Sequence, residues 1–179
     1  SYLKIFKLFN IEYPVLILSS ILGMMIMISS NDLIVFYMGL ELQSLCLYVL
    51  ASYYREQLKS SEAGLKYFVL SALSSGLLLY GCSLIYGFSV STNFDIISSQ
   101  LTSNEYTLTF GIVFILVGLA FKISAVPFHM WAPDVYEGSP TTVTLFFSIV
   151  PKIAALTVFI RFLYVPFLNL LDQWQMIII

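Results

Sequence analysis

The chain has 179 residues, of which 59% are hydrophobic and only 10% are charged, and its mean hydropathy is +0.92. Roughly a quarter of the residues of an average soluble domain are charged, so this composition indicates a membrane protein. A bilayer crossing needs about 20 apolar residues, which leaves room for about six or seven crossings and for no sizeable soluble domain. The net charge of −2 and the scattered Lys and Arg residues argue against nucleic-acid binding.

The His and Cys content argues against redox chemistry within the chain. His129 is the single histidine and cannot supply both axial ligands of a membrane haem, while Cys46 and Cys82 cannot hold an iron-sulfur cluster alone. Both cysteines lie in apolar runs without C-x-x-C spacing, which favours packing thiols. We therefore expect no cofactor and no metal bound by this chain. Because it begins with Ser and not Met, we expect a processed, trimmed or partial chain.

Five apolar segments, each near the length of a membrane span, follow one another along the chain. Each is expected to be a helix, because an open strand would leave backbone groups unpaired in lipid. The segments cover residues 13–30, 32–53, 61–87, 106–126 and 141–165. Ser-rich and Pro-rich composition predicts loops over 88–105 and 131–140. The predicted fold is one all-α transmembrane domain over 1–179, with 166–179 as an interfacial tail or the start of a further helix.

The basic residues predict the orientation of these helices. Lys4, Lys7, Arg55 and Lys59 fall on the side that holds the N-terminus, called side X below, whereas only Arg161 lies near a helix end on the opposite side, side Y. The positive-inside bias makes side X the cytoplasmic or matrix side.

The apolar segments contain the ionisable residues Glu41, Lys66, Lys122 and Lys152. Glu41 is about 13 Å into its segment, where an unpaired charge costs about 2.5 to 3.5 kcal/mol. For Glu41, Lys122 and Lys152 we favour a functional role over a purely structural helix contact. Lys66 is near the start of its segment, where snorkelling to the interface is an equal alternative.

Pro127 is expected to break the fourth apolar segment, because a proline removes a backbone donor and clashes with the carbonyl four residues earlier. Broken helices at membrane depth are tolerated where they line a polar cavity, and in transporters they mark the ion site. His129 follows within the break. Its ordinary pKa near neutrality suits a proton relay, and a capping role for the broken helix is nearly as well supported.

Small polar residues form a group in the third segment, at Ser71, Ser74 and Ser75. Small residues let membrane helices approach closely, so this group favours a packing contact. A hydroxyl relay is the alternative interpretation.

Three strings carry a close resemblance to a known family: FKISAVPFHMWAPDVYEGSPTTVTLFFSIVPKIAAL, GLELQSLCLYVLASY and SSEAGLKYFVLSALSSG. They resemble the antiporter-like membrane subunits of respiratory NADH:ubiquinone oxidoreductase, complex I, a family shared with cation/proton antiporters. The resemblance implies two five-helix repeats of inverted topology, each with a broken helix. The five segments here are similar to the first repeat alone. The second repeat is therefore expected on another polypeptide or on a continuation of this one.

The resemblance also implies which residues translocate protons. Glu41 resembles the glutamate of the family's fifth helix, and Lys122 the lysine just before the break in the seventh. Lys66 and Lys152 resemble the lysines of the sixth and eighth helices, and His129 the histidine within the break.

Cofactors, partners and location are implied in the same way. NADH, FMN, iron-sulfur clusters and ubiquinone are implied in other subunits of the complex, and the expected partners are other membrane-arm subunits and membrane lipids. The 15 Phe and 12 Tyr residues favour a mitochondrial gene, hence the mitochondrial inner membrane with the N-terminus on the matrix side. The bacterial plasma membrane is the alternative.

The sequence therefore predicts a proton-translocating membrane-arm subunit of complex I, or a fragment of one. Burial lowers the pKa of a lysine and a nearby carboxylate raises it, so movement of Glu41 relative to Lys122 would load or release a proton. Lys152 and His129 would pass that proton along a hydrated path. An independent cation/proton antiporter and a purely structural module are the two alternatives.

Overall fold

The computed structural model describes residues 11–100 and 106–178, and within these ranges the chain is helical apart from turns and one isolated β-bridge. The predicted all-α fold class is confirmed. In chain order the helices are α1 (Glu12–Ser29), α2 (Leu33–Ala51), α3 (Leu58–Ser89), α4 (Phe94–Gln100), α5 (Tyr106–Ile123), α6 (Trp131–Gly138), α7 (Thr141–Tyr164) and α8 (Leu171–Ile178), with a 3-10 turn over Leu168–Leu170. Helices α1, α2, α3 and α7 are long and apolar enough to cross a membrane, and α5 carries a shorter apolar stretch, Leu108–Ile123.

The break expected near Pro127 is present, and it separates α5 from α6. Helix α5 ends at Ile123, Ser124 follows in the left-handed conformation with a φ of 64°, and the Val126–Pro127 peptide bond is cis. The chain becomes helical again at Trp131. The break therefore occupies residues 124–130, directly after the turn that carries Lys122.

Two regions that were expected to be loops contain helices, so this part of the prediction was wrong. Helix α4 lies within 88–105, where the Asn93 side chain accepts a hydrogen bond of 3.0 Å from the Asp95 backbone N–H. Helix α6 fills most of 131–140. Pro133 does not prevent it, because the proline lies in the first turn, where backbone N–H groups have no intrahelical acceptor.

The first two helices cross in direct backbone contact at Gly23 and Gly39. A Cβ atom at Gly23 would come 2.7 Å from the Gln43 backbone nitrogen, and one at Gly39 would come 2.7 Å from the Met27 backbone nitrogen. Small residues are what such a crossing requires in a membrane, since they let two backbones approach. The crossing holds α1 against α2, the helix that carries Glu41.

Two buried apolar clusters fill the bundle. One lies towards side Y and is built around Phe36, Ile85, Ile115 and Phe162. The other lies towards side X and is rich in aromatic rings, among them Tyr48, Tyr67, Trp131 and Phe147. The polar site described below lies beside this second cluster.

Contacts between helix ends agree with the predicted assignment of those ends to side X or side Y. Arg161, at the end of α7, donates a hydrogen bond to the Ile28 carbonyl at the end of α1, so these two ends lie together on side Y. Arg55 lies in the turn between α2 and α3, on side X. Lys4 and Lys7 lie outside the described residues, and the cytoplasmic placement of side X stays a prediction.

Candidate functional site

Lys122 is a buried lysine in the last turn of α5, with only 8% of its surface exposed. Its Nζ atom donates hydrogen bonds of 2.8 Å to Ser44 Oγ on α2 and of 2.6 Å to Ser71 Oγ on α3. It also lies 5.9 Å from the centroid of the Tyr48 ring. Burying an ammonium is costly unless hydrogen bonds compensate. Two serine hydroxyls and an aromatic face supply that compensation here.

The depth of this site follows from the length of α3. Ser71 is about 20 Å from the start of the helix at the usual rise per residue. Helix α3 has 32 residues, so its far end is a little further from Ser71 than its start. The Lys122 ammonium therefore lies near the middle of the bundle and not at an interface.

Glu41 lies on α2 one helical turn before Ser44, the serine that accepts a hydrogen bond from Lys122. Its Oε1 atom is buried and has no hydrogen-bond partner in the described part of the chain. The Ser75 hydroxyl, one turn beyond Ser71 on α3, is in the same situation. An unpaired buried oxygen is costly. These two oxygens therefore form a polar region between α2 and α3, which favours an added proton or hydrogen-bond donor.

Glu41 and Lys122 are near each other without direct contact. Among residues 11–100 and 106–178, the ion pairs within 4.0 Å join Lys59 to Glu137 and Lys66 to Glu62 and Asp134. The Lys122 ammonium is instead bound by hydroxyl groups. The structure therefore captures the lysine separated from the carboxylate.

Tyr48 completes the group. Its hydroxyl donates a hydrogen bond of 2.7 Å to Ser71 Oγ, the same oxygen that accepts from Lys122. Glu41, Ser44 and Tyr48 follow at intervals of three and four residues, so they share one face of α2. Sequence reasoning missed Ser44 and Tyr48, although this spacing beside Glu41 was a visible signal. Ser71 was assigned to packing first, with the relay only as the alternative.

Lys66 lies elsewhere, in a cluster of charged side chains at the X end of α3 and α6. Its Nζ atom forms ion pairs of 2.8 Å with both Glu62 and Asp134. Lys59 pairs with Glu137 at 3.0 Å. The charged side chains of this cluster border a cavity of about 160 Å³. The Lys66 side chain is 43% exposed, which corresponds to the snorkelling alternative.

His129 and Lys152 are also apart from Lys122. His129 is exposed in the turn between α5 and α6. Lys152 is half-buried on α7, with its Nζ atom 5.4 Å from the centroid of the Tyr136 ring. That ring contacts Trp131 edge-on at 6.2 Å, and Trp131 stacks on Tyr67 at 4.7 Å. Aromatic rings therefore separate Lys152 from the Lys122 site.

Trp131 closes the helix break. Its Nε1 atom donates a hydrogen bond of 3.1 Å to the Phe121 carbonyl, next to Lys122, and the two rings stack at 5.6 Å. The carbonyl groups at the end of a helix lack intrahelical donors, so this bond satisfies one of them. The first residue of α6 thus fixes the end of α5 and the position of Lys122.

No group of three or more His, Cys, Asp or Glu that could hold a metal ion occurs in the described ranges.

Membrane-length helices, a helix broken in mid-bundle and a buried lysine at the break define a multi-pass membrane protein with the architecture of an ion-transporting subunit. Residues 30–179 match the family described as NADH:quinone oxidoreductase/Mrp antiporter, transmembrane. The chain belongs to this family.

Two relatives with known names are similar to almost the whole of this chain. The chain is 83% identical over 178 residues to NADH-quinone oxidoreductase subunit N of Pelagibacter ubique, covering 99% of this chain and 38% of that protein. It is 63% identical over 171 residues to subunit N of Rhodospirillum rubrum, covering 94% and 35%. The chain therefore spans little more than a third of the length of these relatives, and both are bacterial.

Solved structures share the fold. In respiratory complex I from Thermus thermophilus, the matching chain is 38% identical with a TM-score of 0.77, covering 85% of this chain and 34% of that one. A chain of the archaeal membrane-bound sulfane sulfur reductase is 30% identical with a TM-score of 0.78, covering 90% and 34%. A chain of the Mrp complex of Dietzia is 26% identical with a TM-score of 0.77, covering 87% and 29%.

Proposed function

We propose that this chain is part of a proton-translocating membrane-arm subunit of complex I, in the position of subunit N. The complex couples NADH oxidation by ubiquinone to proton transfer, and the redox groups belong to other subunits. The observation that carries this proposal is Lys122, buried at the helix break and bound by serine hydroxyls, one of them on the helix that carries Glu41. The high identity to subunit N supports the assignment to complex I.

The mechanism follows from the two environments available to Lys122. A carboxylate that approaches the lysine stabilises its ammonium form, and burial among neutral groups favours the uncharged amine. Movement between α2 and α5 that changes the separation of Glu41 and Lys122 therefore loads and releases a proton.

The other predicted site residues, Lys66, His129 and Lys152, lie away from Lys122 and act before or after it in this scheme. Lys66 lies in the charged cluster on side X, where it holds α6 to α3 through Asp134 and faces solvent. Lys152 and His129 receive and pass on the proton from Lys122 along water. For Lys152 this requires the edge-on contact of Tyr136 with Trp131 to open or to be bypassed.

A second five-helix repeat is the partner that this site requires. Helices of one repeat cannot shield several mid-membrane charges from lipid on every side, and transporter sites are built where two repeats meet. We place that repeat against the Lys152 face of α7. It is supplied by a continuation of this chain or by another membrane-arm subunit.

We place the protein in the plasma membrane of a bacterium, with side X in the cytoplasm. The relatives named above are bacterial, so they favour this alternative over the mitochondrial inner membrane that the Phe and Tyr content suggested. The positive-inside bias gives the same orientation in either membrane.

An independent cation/proton antiporter is the second candidate, because the Mrp chain shares the fold. The identity of 38% to the complex I chain, against 26% to the Mrp chain, favours complex I. The two functions differ in one measurement. An antiporter produces sodium-dependent proton flux without NADH, whereas the proposed subunit produces flux only when the complex oxidises NADH.

The test of the proposal is Glu41→Gln in the full-length protein within the assembled complex. This change removes the charge and keeps the shape of the side chain. NADH-driven proton uptake by inverted membrane vesicles should fall severalfold, because Lys122 loses the carboxylate that stabilises its ammonium form on approach. Native gels of the same membranes count the assembled complexes. Loss of assembly with normal pumping per complex would support the purely structural alternative instead.

A further inference from the structure

A cavity of about 1040 Å³ lies on side X, at the turn between α2 and α3. Its wall is formed by the last residues of α2, the turn over residues 52–57, the start of α3 and Glu12 at the start of α1. Ligand sites in proteins have volumes of about 300 to 1000 Å³. The cavity is therefore large enough to hold an organic ligand.

The part of the wall that lies along the two helices is apolar. Val49 on α2 and Leu65 and Phe68 on α3 line it, with 47%, 65% and 49% of their surfaces exposed. Phe68 is about 15 Å from the start of α3 at the usual rise per residue, and half of a hydrocarbon core is also about 15 Å. This apolar wall therefore has the depth of one membrane leaflet, which suits an acyl chain.

The rim of the cavity is polar and belongs to the turn. Ser52, Gln57 and Ser61 line it, together with Tyr53 and Tyr54. Tyrosines are enriched at the level of lipid headgroups, where their rings meet the hydrocarbon and their hydroxyls meet water. The cavity therefore changes from polar at the membrane surface to apolar inside the membrane, which is the order of the headgroup and the acyl chains in a phospholipid.

Three charged side chains also line the rim, namely Glu12, Arg55 and Glu56. All three are exposed, and within the described ranges none of them forms an ion pair within 4.0 Å, whereas Lys59 and Lys66 nearby are paired. A guanidinium group binds phosphate through two parallel hydrogen bonds, and carboxylates accept hydrogen bonds from an ammonium group. One arginine with two glutamates therefore matches a phosphate that carries an amine better than a purely anionic headgroup.

We propose that this cavity binds a phospholipid of the side-X leaflet that has an ethanolamine headgroup. Its phosphate contacts Arg55, and its ammonium group contacts Glu56 and Glu12. Arg55 and Glu56 are adjacent in the chain, as the phosphate and the amine are separated by only two carbon atoms in the lipid. One acyl chain lies along the apolar wall. This site is distinct from Lys122 and does not depend on the proposed function.

Photolabelling of the full-length protein in the assembled complex tests the proposal. The complex is reconstituted into phosphatidylcholine vesicles with a trace of phosphatidylethanolamine or phosphatidylglycerol, each carrying the same photoreactive acyl chain. Mass spectrometry then measures the labelling of residues 49–68. The ethanolamine probe should label this segment severalfold more than the glycerol probe. Equal labelling by both probes would overturn the proposal, as would no labelling because another part of the complex covers the cavity.

Arg55→Gln removes the partner of the phosphate. Labelling by the ethanolamine probe should fall about fivefold, which is the upper end for the loss of one exposed charge pair. Lys59→Gln is the matched control, because Lys59 is also basic and exposed on side X but pairs with Glu137 at the smaller cavity. This control should keep the labelling of the wild type. An equal loss in both variants would overturn the proposal, since it would indicate a general effect of surface charge.

The amine is tested by changing both carboxylates. The double variant Glu12→Gln and Glu56→Gln should lose the preference for the ethanolamine probe over the glycerol probe, and an unchanged preference would overturn the assignment of the headgroup.

The acyl chain is tested by filling the apolar wall. Leu65→Trp should lower labelling severalfold, whereas Leu73→Trp, at a residue of equal exposure (65%) two turns deeper on α3, should not. Native gels confirm that each variant complex is assembled. Wild-type labelling in Leu65→Trp would overturn the placement of the acyl chain.

Discussion

Lys122 on α5 and Ser71 on α3 are joined by a hydrogen bond of 2.6 Å near the middle of the bundle. The lysine at the helix break is thus bound by neutral hydroxyl groups, and among the described residues no ion pair within 4.0 Å joins it to Glu41. A neutral acceptor stabilises an ammonium less than a carboxylate in contact does. This arrangement leaves the lysine able to change its proton without breaking an ion pair.

The crossing of α1 and α2 predicts a strong effect of adding one methyl group at Gly39. A Cβ atom there would lie 2.7 Å from a backbone nitrogen of α1, so Gly39→Ala forces the helices apart. Overpacking of this kind costs about 1 to 3 kcal/mol. The amount of assembled complex on native gels should fall severalfold. Gly76→Ala is the control, because among the described residues no atom outside the same helix lies within 4 Å of the added methyl group, and equal loss in both variants would contradict this account.

Trp131→Phe should weaken both stability and pumping. The change removes the hydrogen bond across the break to the Phe121 carbonyl and keeps an aromatic ring against Tyr67. The lost bond costs about 1 kcal/mol, which lowers the unfolding temperature by a few degrees. Pumping should fall severalfold, because the end of α5 that carries Lys122 loses its anchor.

Trp174→Phe provides the comparison for this prediction. Trp174 donates an equivalent hydrogen bond of 3.0 Å to the Phe167 carbonyl, outside the break. The loss in unfolding temperature should be similar, but pumping per assembled complex should be unchanged. Equal pumping by the two tryptophan variants would show that the hydrogen bond at the break only stabilises the fold.

The charged cluster on side X predicts a small effect for Lys66. Exposed ion pairs stabilise proteins little, so Lys66→Gln should leave the amount of assembled complex near that of the wild type. Pumping should fall about twofold to threefold, far less than for a buried site residue, because Lys66 orients α6 through Asp134 and faces solvent. Lys59→Gln breaks the more exposed pair with Glu137 and should have no effect. A loss in Lys66→Gln as large as that in Lys122→Met would place Lys66 on the buried path.

Hydropathy and charge were sufficient to predict the long helices, the break near Pro127 and the burial of Lys122, whereas the roles of Lys122 and Glu41 stay predictions. These features depend on local composition and on the cost of a charge in lipid. Helices α4 and α6 were missed, because Ser, Asn and Pro favour loops unless tertiary contacts or first-turn positions accommodate them. Composition gives no information about contacts between distant segments.

The side chains that contact the charged residues were also not predicted from the sequence. Lys66 and Asp134 are separated by 68 positions in the chain, and Lys122 and Ser44 by 78. Only the packing of the helices brings them together.

The central claim is that Lys122 carries the transferred proton, and the most direct measurement is the number of protons translocated per NADH oxidised by the Lys122→Met complex in liposomes. Methionine keeps an unbranched apolar chain and removes the titrating amine, so the assembled complex should retain its NADH oxidation by a soluble acceptor. We expect the proton yield per NADH to fall well below that of the wild type, or coupled turnover to stop. An unchanged proton yield from fully assembled Lys122→Met complex would contradict the account.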